Sequence, residues 1–174
     1  ARRVSPNAMI RRLARVVIFC GVAAALAGCS VVSKQPVVDE RAAGDSARGQ
    51  TVVALARQHV GAPYRWGGSS PSGFDCSGLV RYVYGQVGVS LPHNAAQQYR
   101  LGTAIARASL EPGDLVFFDR LRHNGIYVGD GRFIHARQTG RRVAIASLDD
   151  AWYASHFVGA RRLDPPARAP DAED

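Results

Sequence analysis

The feature that most constrains this fold is an abrupt change of pattern at Asp75. Residues 67–73 (GGSSPSG) are rich in turn-forming residues, whereas an apolar segment with helical spacing begins at Cys76. Apolar side chains follow the cysteine at three, four, seven and eleven positions, namely Leu79, Val80, Val83 and Val87. The Asp75 carboxylate is suited to cap the first turn, and Gly88 is suited to end the helix. The stretch therefore predicts a capped helix with a thiol on its inward face.

The chemistry of Cys76 has two interpretations at this level. A thiol in the first turn of a helix lies at the positive end of the helix dipole, which favours the nucleophilic thiolate. Free cysteines are also common as small, inert core residues. The local sequence leaves both interpretations open, and the choice depends on the rest of the chain.

The first 28 residues have the pattern of a lipoprotein signal peptide. Three arginines within 11–15 precede an apolar run over 16–26 that is shorter than a membrane span. The run leads into Leu-Ala-Gly-Cys, which matches the bacterial lipobox and predicts a lipid on Cys29. An ordinary signal peptide and an uncleaved anchor are the alternatives, and Met9 is an alternative start. Ser30, rather than Asp, follows the cysteine, so we expect an outer-membrane lipoprotein that faces the periplasm.

The cysteine count favours a functional thiol. Cys20 would leave with the leader and Cys29 would carry the lipid, so Cys76 would be the only thiol of the mature chain. It would lie in an oxidising compartment with no partner for a disulfide. A lone cysteine in that setting is better explained by chemistry than by packing.

The net charge of +8 does not indicate a nucleic-acid partner. Five arginines precede Cys29 without an acidic residue, so the chain from Cys29 onward carries only +3, from 17 basic and 14 acidic residues. These charges are scattered, and no basic stripe is interleaved with aromatic residues. We therefore expect no nucleic acid among the partners.

The chain after the lipid site begins and ends with segments that lack a core pattern. Residues 29–45 are small and charged without periodicity, which predicts a flexible tether. Residues 164–174 are rich in Pro, Ala and acidic residues, which predicts a disordered tail. The stretch between them, 46–163, is the predicted folded domain.

Within this domain, helices precede strands. A helix capped at residue 45 or 46 is predicted over 46–60, and a short one capped by Asn94 extends to residue 101. Five strands are predicted, over 115–118, 123–128, 132–136, 142–147 and 157–163. In the fourth, Val143 and Ile145 should point inward. This order predicts an α+β fold with N-terminal helices packed against a mostly antiparallel sheet.

A cysteine nucleophile needs a base and a group that orients the base, and two histidines on a predicted hairpin could supply both. If residues 129–131 form a three-residue loop, residue 125 pairs with His135, and His123 lies on the same face. If Asp130-Gly131 is instead a two-residue turn, the register shifts by one and the histidines point to opposite faces. The three-residue loop is the prediction.

With both histidines on one face, the helix of Cys76 laid across the sheet can bring its thiol to His123, with His135 behind. His135 would hold the tautomer of His123, and amides at the helix start would serve as oxyanion donors. We expect a working thiolate beside a protonated imidazole. A zinc site lacks a paired-ligand motif but stays open, as does a purely structural role for both histidines. His59 and His93 are interpreted as a structural and a surface-loop histidine.

Six segments, in this order, resemble the NlpC-type cell-wall cysteine peptidases: YRWGG at 64–68, FDCSGLV at 74–80, LP at 91–92, EPGDLVFF at 111–118, HNGIYVG at 123–129 and FIHA at 133–136. The resemblance covers essentially the whole predicted domain. It implies a papain-like fold and hydrolysis of amide bonds in the stem peptides or cross-links of peptidoglycan. Carried over by position, it implies that Cys76 is the nucleophile, His123 the base and His135 the residue that orients it. We expect no cofactor and no metal.

The resemblance also assigns the neighbours of the thiol. It places Tyr64 beside the thiol, with Asp75 and Ser77 flanking it as substrate-binding or oxyanion-supporting residues. Asn124 departs from the family, which usually has an aliphatic residue there, and its side chain should face away from His123. Two other functions stay open: a catalytically silent wall-binding lipoprotein, and a papain-like amidase or acyltransferase on a non-wall substrate.

Overall fold

The computed structural model describes residues 40–163. The helices are α1 Glu40–Arg57, α2 Cys76–Gly85, α3 Ala95–Gln98 and α4 Ala151–His156. The strands are β1 Ser69–Ser70, β2 Gly73–Phe74, β3 Thr103–Ile105, β4 Leu115–Phe118, β5 His123–Gly129, β6 Arg132–Ala136, β7 Val143–Ser147 and β8 Phe157–Arg162. Two short 3-10 turns are Arg107–Ser109 and Asp119–Leu121. The signal-peptide, lipidation and tail predictions lie on residues 1–39 and 164–174, outside the described residues.

One antiparallel sheet organises this part of the chain. Its six strands have the order β3-β8-β4-β5-β6-β7, and β1 pairs with β2 in a separate small hairpin. On one face, α1 and α2 pack around buried residues that include Val52, Leu79, Val83, Phe117, Ile126 and Ile134. On the other face, a second cluster joins Phe118 and Phe133 to Tyr153 of α4. The fold is the predicted α+β arrangement. No helix within 40–163 combines the length and the apolar character needed to cross a membrane.

Helix α2 forms as its pattern predicts. Leu79, Val80 and Val83 are fully buried, so the periodic apolar stripe is the inward face. After the last turn, Gly88 has a φ of 80°, and the Val89 amide donates to the Tyr84 carbonyl oxygen at 3.0 Å. This is the Schellman arrangement in which a glycine avoids the steric cost of a left-handed backbone.

Helix α1 starts earlier than the sequence pattern predicts. It begins at Glu40, so the cap predicted at residue 45 or 46 and the predicted tether over 40–45 are wrong, whereas residues 29–39 of the tether lie outside the described residues. The added turn contains Ala42 and Ala43, which have the highest helix propensity, and no proline interrupts residues 40–45. The absence of apolar periodicity therefore did not mean the absence of a helix.

The sheet extends beyond the predicted strands. Strand β3 and helix α4 were not predicted, because both are short and carry no alternating or helical apolar pattern. In the edge strand β7, Val143 is buried as predicted, whereas Ile145 is 39% exposed. Both residues lie on the same side of the strand, but β7 is the edge strand, and among residues 40–163 no further strand pairs with its outer edge to cover Ile145.

Candidate active site

The loop and the helix that carry the thiol are joined by the side chain of Asp75. Its Oδ1 accepts hydrogen bonds from the Gly78 amide at 2.7 Å and from the Ser77 hydroxyl at 3.1 Å. Its Oδ2 accepts from the Gly67 amide at 2.9 Å. Asp75 therefore caps α2 as predicted and also fixes the glycine-rich loop beside the first turn.

Cys76 lies half-buried at the start of α2 and is the only cysteine among residues 40–163. Its thiol donates a long hydrogen bond to the Arg122 carbonyl oxygen, with 3.7 Å between Sγ and O. Burial and the charge of Asp75 raise the pKa of the thiol, whereas the backbone amides of Asn124, Ser77 and Cys76 itself act to lower it. Amides that stabilise negative charge on sulfur are well placed to stabilise an oxyanion formed there.

His123 and His135 share one face of the sheet. Ile126 pairs with Ile134, the register that sets residue 125 opposite His135. His123 is then a diagonal neighbour of His135 on the same side. This register and the shared face are those predicted from the sequence.

The turn that produces this register differs from the predicted one. Gly129 pairs with Arg132, so Asp130 and Gly131 form a two-residue turn, with φ of 51° and 67°. Two positive φ values define the hairpin turn that matches strand twist. A β-bulge between Tyr127 and Gly129 absorbs one residue and restores the register. The predicted three-residue loop is therefore wrong. The bulge nevertheless produces the predicted register, with both histidines on one face.

Helix α2 does not lie across the histidine face as expected. Ile126 packs in the cluster beneath α2, whereas the ring of His123 lies 6.1 Å from that of Phe118, in the cluster on the other face. The thiol of Cys76 lies at the beginning of β5, where Sγ contacts the carbonyl of Arg122, the residue directly before His123. The site is thus built at a strand end rather than above the sheet.

A chain of hydrogen bonds leads inward from His123. Its Nε2 lies 2.8 Å from Nδ1 of His135, and Nε2 of His135 lies 3.2 Å from the Tyr153 hydroxyl oxygen. All three side chains are buried. When each histidine donates from Nε2, Nδ1 of His123 is free of a proton and can act as the base. The orienting role of His135 is therefore consistent with this geometry.

The ionisation of the site runs opposite to the expected thiolate–imidazolium pair. Burial, followed by the charge of Arg137, lowers the pKa of His123 to about 4, against the opposing charge of Asp119. Burial, with His123 and Arg137 adding to it, lowers the pKa of His135 to about 3. Because the pKa of Cys76 is raised and that of His123 is lowered, these shifts favour a neutral thiol beside a neutral imidazole.

Two residues that were not predicted as part of the site, His93 and Tyr153, contact predicted site residues. His93 was interpreted as a surface-loop residue, yet its Nε2 lies 2.9 and 3.0 Å from the two carboxylate oxygens of Asp75. Its place directly after Leu91-Pro92 was the available signal. Tyr153 extends the histidine relay from α4, and the only local signal was an acidic pair before it at residues 149–150.

The other predicted neighbours lie as expected. Tyr64 lines the cleft, and burial, with the charges of Cys76 and Asp75, raises its pKa. His59 packs edge-on against two aromatic rings at 5.1 Å, as a structural histidine does. Asn124 is fully buried and faces away from His123, donating to the Gln98 side-chain oxygen at 2.6 Å.

These side chains surround one open cleft of about 800 Å³. Its walls include Tyr64, Asp75, Cys76, His93, His123 and Tyr153. Among residues 40–163, no group of three or more His, Cys, Asp or Glu side chains is arranged to hold a metal ion. Three of the four ring nitrogens of His123 and His135 are directed at each other or at Tyr153, which leaves only Nδ1 of His123 outside these contacts.

A half-buried cysteine at a helix start, a buried pair of histidines and helices packed on an antiparallel sheet are typical of cysteine peptidases of the papain-like class. The chain belongs to the NlpC/P60 family of cysteine peptidases, whose model matches residues 61–162. The resemblance drawn from the sequence is confirmed.

Relatives support the same assignment. The murein DD-endopeptidase MepH of Escherichia coli (strain K12) is 48% identical over 127 residues, covering 67% of this chain and 47% of its own length. The gamma-DL-glutamyl hydrolase of Bacillus subtilis (strain 168) is 44% identical over 120 residues, covering 65% of this chain and 29% of its own length. The match therefore spans less than half the length of these curated relatives.

Solved structures share the fold. An NlpC/P60 family protein from Bacillus cereus ATCC 10987 superposes with a TM-score of 0.65 at 34% identity, covering 67% of this chain and 40% of that one. The NlpC/p60 domain of the peptidoglycan hydrolase SagA gives a TM-score of 0.61 at 39% identity, covering 66% of this chain and 98% of that one.

Proposed function

We propose that this protein is a cysteine peptidase that hydrolyses amide bonds in the stem peptides or cross-links of peptidoglycan. The observation that carries the proposal is the relay from the cleft beside Cys76 through His123 to His135. The names of two relatives, a murein DD-endopeptidase and a gamma-DL-glutamyl hydrolase, support the substrate class. Tyr64, with Asp75, lines the same cleft and would contact the bound peptide.

In the acylation step, Sγ of Cys76 attacks the carbonyl carbon of the substrate while its proton passes to Nδ1 of His123. The resulting imidazolium keeps its Nε2–H bond to His135, and backbone amides at the start of α2 stabilise the carbonyl oxygen as it gains charge. The C–N bond breaks as His123 returns the proton to the leaving nitrogen. A thioester on Cys76 and a free amine are the products of this half.

In the deacylation step, water takes the place of the amine. His123 removes a proton from the water as its oxygen attacks the thioester carbon, and the C–S bond breaks. The proton returns to sulfur, so the thiol is regenerated and a carboxylic acid leaves. No cofactor is needed to balance either step.

The test is hydrolysis of purified muropeptides by the full chain, with products identified by mass spectrometry. We expect new amine and carboxyl termini with the wild type and with Ser90→Ala, an exposed residue outside the cleft, but not with Cys76→Ala. Hydrolysis that survives Cys76→Ala would overturn the nucleophile assignment. An inactive wild type would favour a silent wall-binding protein, and activity confined to other amides would favour a non-wall substrate.

We also propose that residues 1–28 are a signal peptide and that Cys29 carries a lipid that anchors the protein in the outer membrane, facing the periplasm. The arginine-rich start, the apolar run and the lipobox support this proposal. The test is metabolic labelling with an alkyne-bearing fatty acid, followed by membrane fractionation. We expect Cys29→Ser to lose the label and Cys20→Ser, the matched control, to keep it; labelled Cys29→Ser would contradict the proposal.

A further inference from the structure

The cleft carries opposite charges on its two sides. On the side of α2, the carboxylate of Asp75 is paired with His93. On the side of the histidine hairpin, the cleft is lined by Arg120, Arg122 and Arg137, which we name the arginine rim. All three arginines are exposed, and within 40–163 none of their guanidinium groups makes a hydrogen bond or an ion pair.

The arginine rim is positioned by the segments that carry the base. Arg122 directly precedes His123, and Arg137 follows strand β6. Arg137 lines the cleft together with His123, and its charge contributes to the lowered pKa of both His123 and His135.

Arg120 lies in a backbone turn that is sterically disfavoured. The three residues 119–121 have φ of 47°, 51° and 68°, although none is glycine. Such conformations persist only where the surrounding structure holds them, and they cluster at functional sites. Asp119, in the same turn, is the one carboxylate lining the hairpin side of the cleft within 40–163.

The chemistry of the proposed reaction decides which half of the substrate meets the arginine rim. His123 must deliver its proton to the nitrogen that leaves, so that nitrogen has to lie next to the His123 ring. The residue that departs as the amine then extends over the hairpin side, towards Arg122 and Arg137. The acyl half lies towards Asp75.

We infer that the arginine rim is a subsite for free carboxylate groups on the residue that leaves as the amine. This inference rests on the proposed function. In stem peptides, both the γ-D-glutamyl and the D-alanyl bonds to diaminopimelate release the amine of diaminopimelate, a residue that carries carboxylates. Guanidinium groups bind carboxylates through paired, planar hydrogen bonds, and here they do so with no competing partner in the described structure.

The experiment compares two peptides of identical sequence, L-Ala-γ-D-Glu-diaminopimelate with free diaminopimelate carboxylates and the same peptide with both carboxylates amidated. We expect the full chain to hydrolyse the free-acid peptide with a higher kcat/KM, mainly through a lower KM. An exposed ion pair contributes little, so Arg137→Gln alone should lower kcat/KM for the acid by about two- to fivefold. Replacing all three arginines by Gln should lower it by about tenfold or more, with a smaller loss on the diamide.

Arg132→Gln is the matched control, because it removes one exposed arginine from the far end of the same hairpin, outside the cleft. This variant should leave kcat/KM unchanged for both the free-acid peptide and the diamide. Equal rates on the two peptides, or equal losses with Arg132→Gln and the triple variant, would overturn the inference.

A second measurement separates this inference from the proposed function. Calorimetric titration of the Cys76→Ala chain with diaminopimelate and with its diamide reports binding without hydrolysis. Preference for diaminopimelate that is lost in the triple arginine variant would support the arginine rim even if neither peptide were cleaved. No preference in this titration would overturn the inference, whatever the rates of hydrolysis.

Discussion

At the scale of single residues, the proposed function gives His135 a role in the reaction only through its contact with His123. Nδ1 of His135 lies 2.8 Å from Nε2 of His123, and when it accepts the proton of that nitrogen, Nδ1 is the basic nitrogen of His123. Its own Nε2 is directed at the Tyr153 hydroxyl, so the relay ends inside the protein rather than in solvent. A side chain at position 135 therefore needs an acceptor atom in one place and little else.

Replacement of His135 tests this requirement. We expect His135→Leu, which offers no acceptor, to lower kcat by about 10²- to 10⁴-fold, because the tautomer of His123 is no longer held. His135→Asn presents an acceptor oxygen and should retain considerably more activity. The measurement is steady-state hydrolysis of muropeptides at equal folded concentration, verified by near-UV circular dichroism. Equal losses in the two variants would mean that His135 serves packing alone.

The pH dependence of Cys76 alkylation tests the ionisation of the pair. The pKa of the thiol is raised and that of His123 is lowered to about 4, so between these values both groups are neutral and the thiolate becomes populated only as pH rises. We expect the iodoacetamide reaction rate to rise about tenfold per pH unit between pH 6 and 8, as for a high-pKa thiol. A rate that is already high and flat from acidic pH would instead demonstrate a thiolate–imidazolium pair.

At the scale of elements, α2 contains two glycines in very different surroundings. A Cβ added to Gly78 would lie 2.0 Å from the carbonyl oxygen of Gly68 and 2.8 Å from Nε2 of His93. A Cβ added to Gly85 would meet nothing within 4 Å. The first turn of α2 is therefore pressed against the loop and the histidine of the site, whereas its last turn is open.

Alanine substitutions of these two glycines give a matched pair in one helix. We expect Gly85→Ala to raise the free energy of unfolding by up to about 1 kcal/mol, from helix propensity. Gly78→Ala should lower it by about 1–3 kcal/mol and reduce activity, because backbone must shift at the thiol. Urea unfolding and hydrolysis assays check both. A Gly78→Ala protein as stable and active as the wild type would refute this account of the close packing.

The elements that the sequence predicts well are those with a strong local signal. Asp75 and Asn94 cap α2 and α3 through the expected side-chain bonds. The strands 115–118 and 132–136 begin and end where predicted. The first is a continuous apolar run bounded by turn residues, and the second directly follows the glycine-rich turn of the hairpin. Short elements such as α4 are held by tertiary contacts and leave no such pattern.

The candidate site was predictable where it depends on strands and caps, and not where it depends on tertiary packing. His93 reaches Asp75 only because the segment before α3 folds back over the start of α2, which no local pattern specifies. The hairpin register was right although the turn was wrong, since a bulge at the turn end added the residue that the two-residue turn omits. Register is determined by which side chains are buried, and the turn adapts to it.

At the scale of the whole molecule, one buried polar contact joins the helical part to the sheet. Gln98 and Asn124 are both fully buried, and Asn124 Nδ2 donates to Gln98 Oε1 at 2.6 Å. Gln98 Nε2 in turn donates to the carbonyl oxygens of Ser77 at 3.0 Å and Pro92 at 2.7 Å. Since Ser77 follows Cys76 and Asn124 follows His123, this contact joins the segment of the proposed nucleophile to the segment of the proposed base.

A double-mutant cycle on Gln98 and Asn124 measures how strongly the two parts are coupled. Asn124→Val leaves Gln98 Oε1 buried without its donor, which should cost about 1–3 kcal/mol of unfolding free energy. Gln98→Met removes that acceptor, so the double variant should be less destabilised than the sum of the single changes, with a coupling of about 1–3 kcal/mol. Urea unfolding of the four proteins gives the coupling, and hydrolysis rates show whether the nucleophile and base have moved apart. Strictly additive losses would mean that apolar packing alone holds the helices on the sheet, because the buried contact would then contribute no energy of its own.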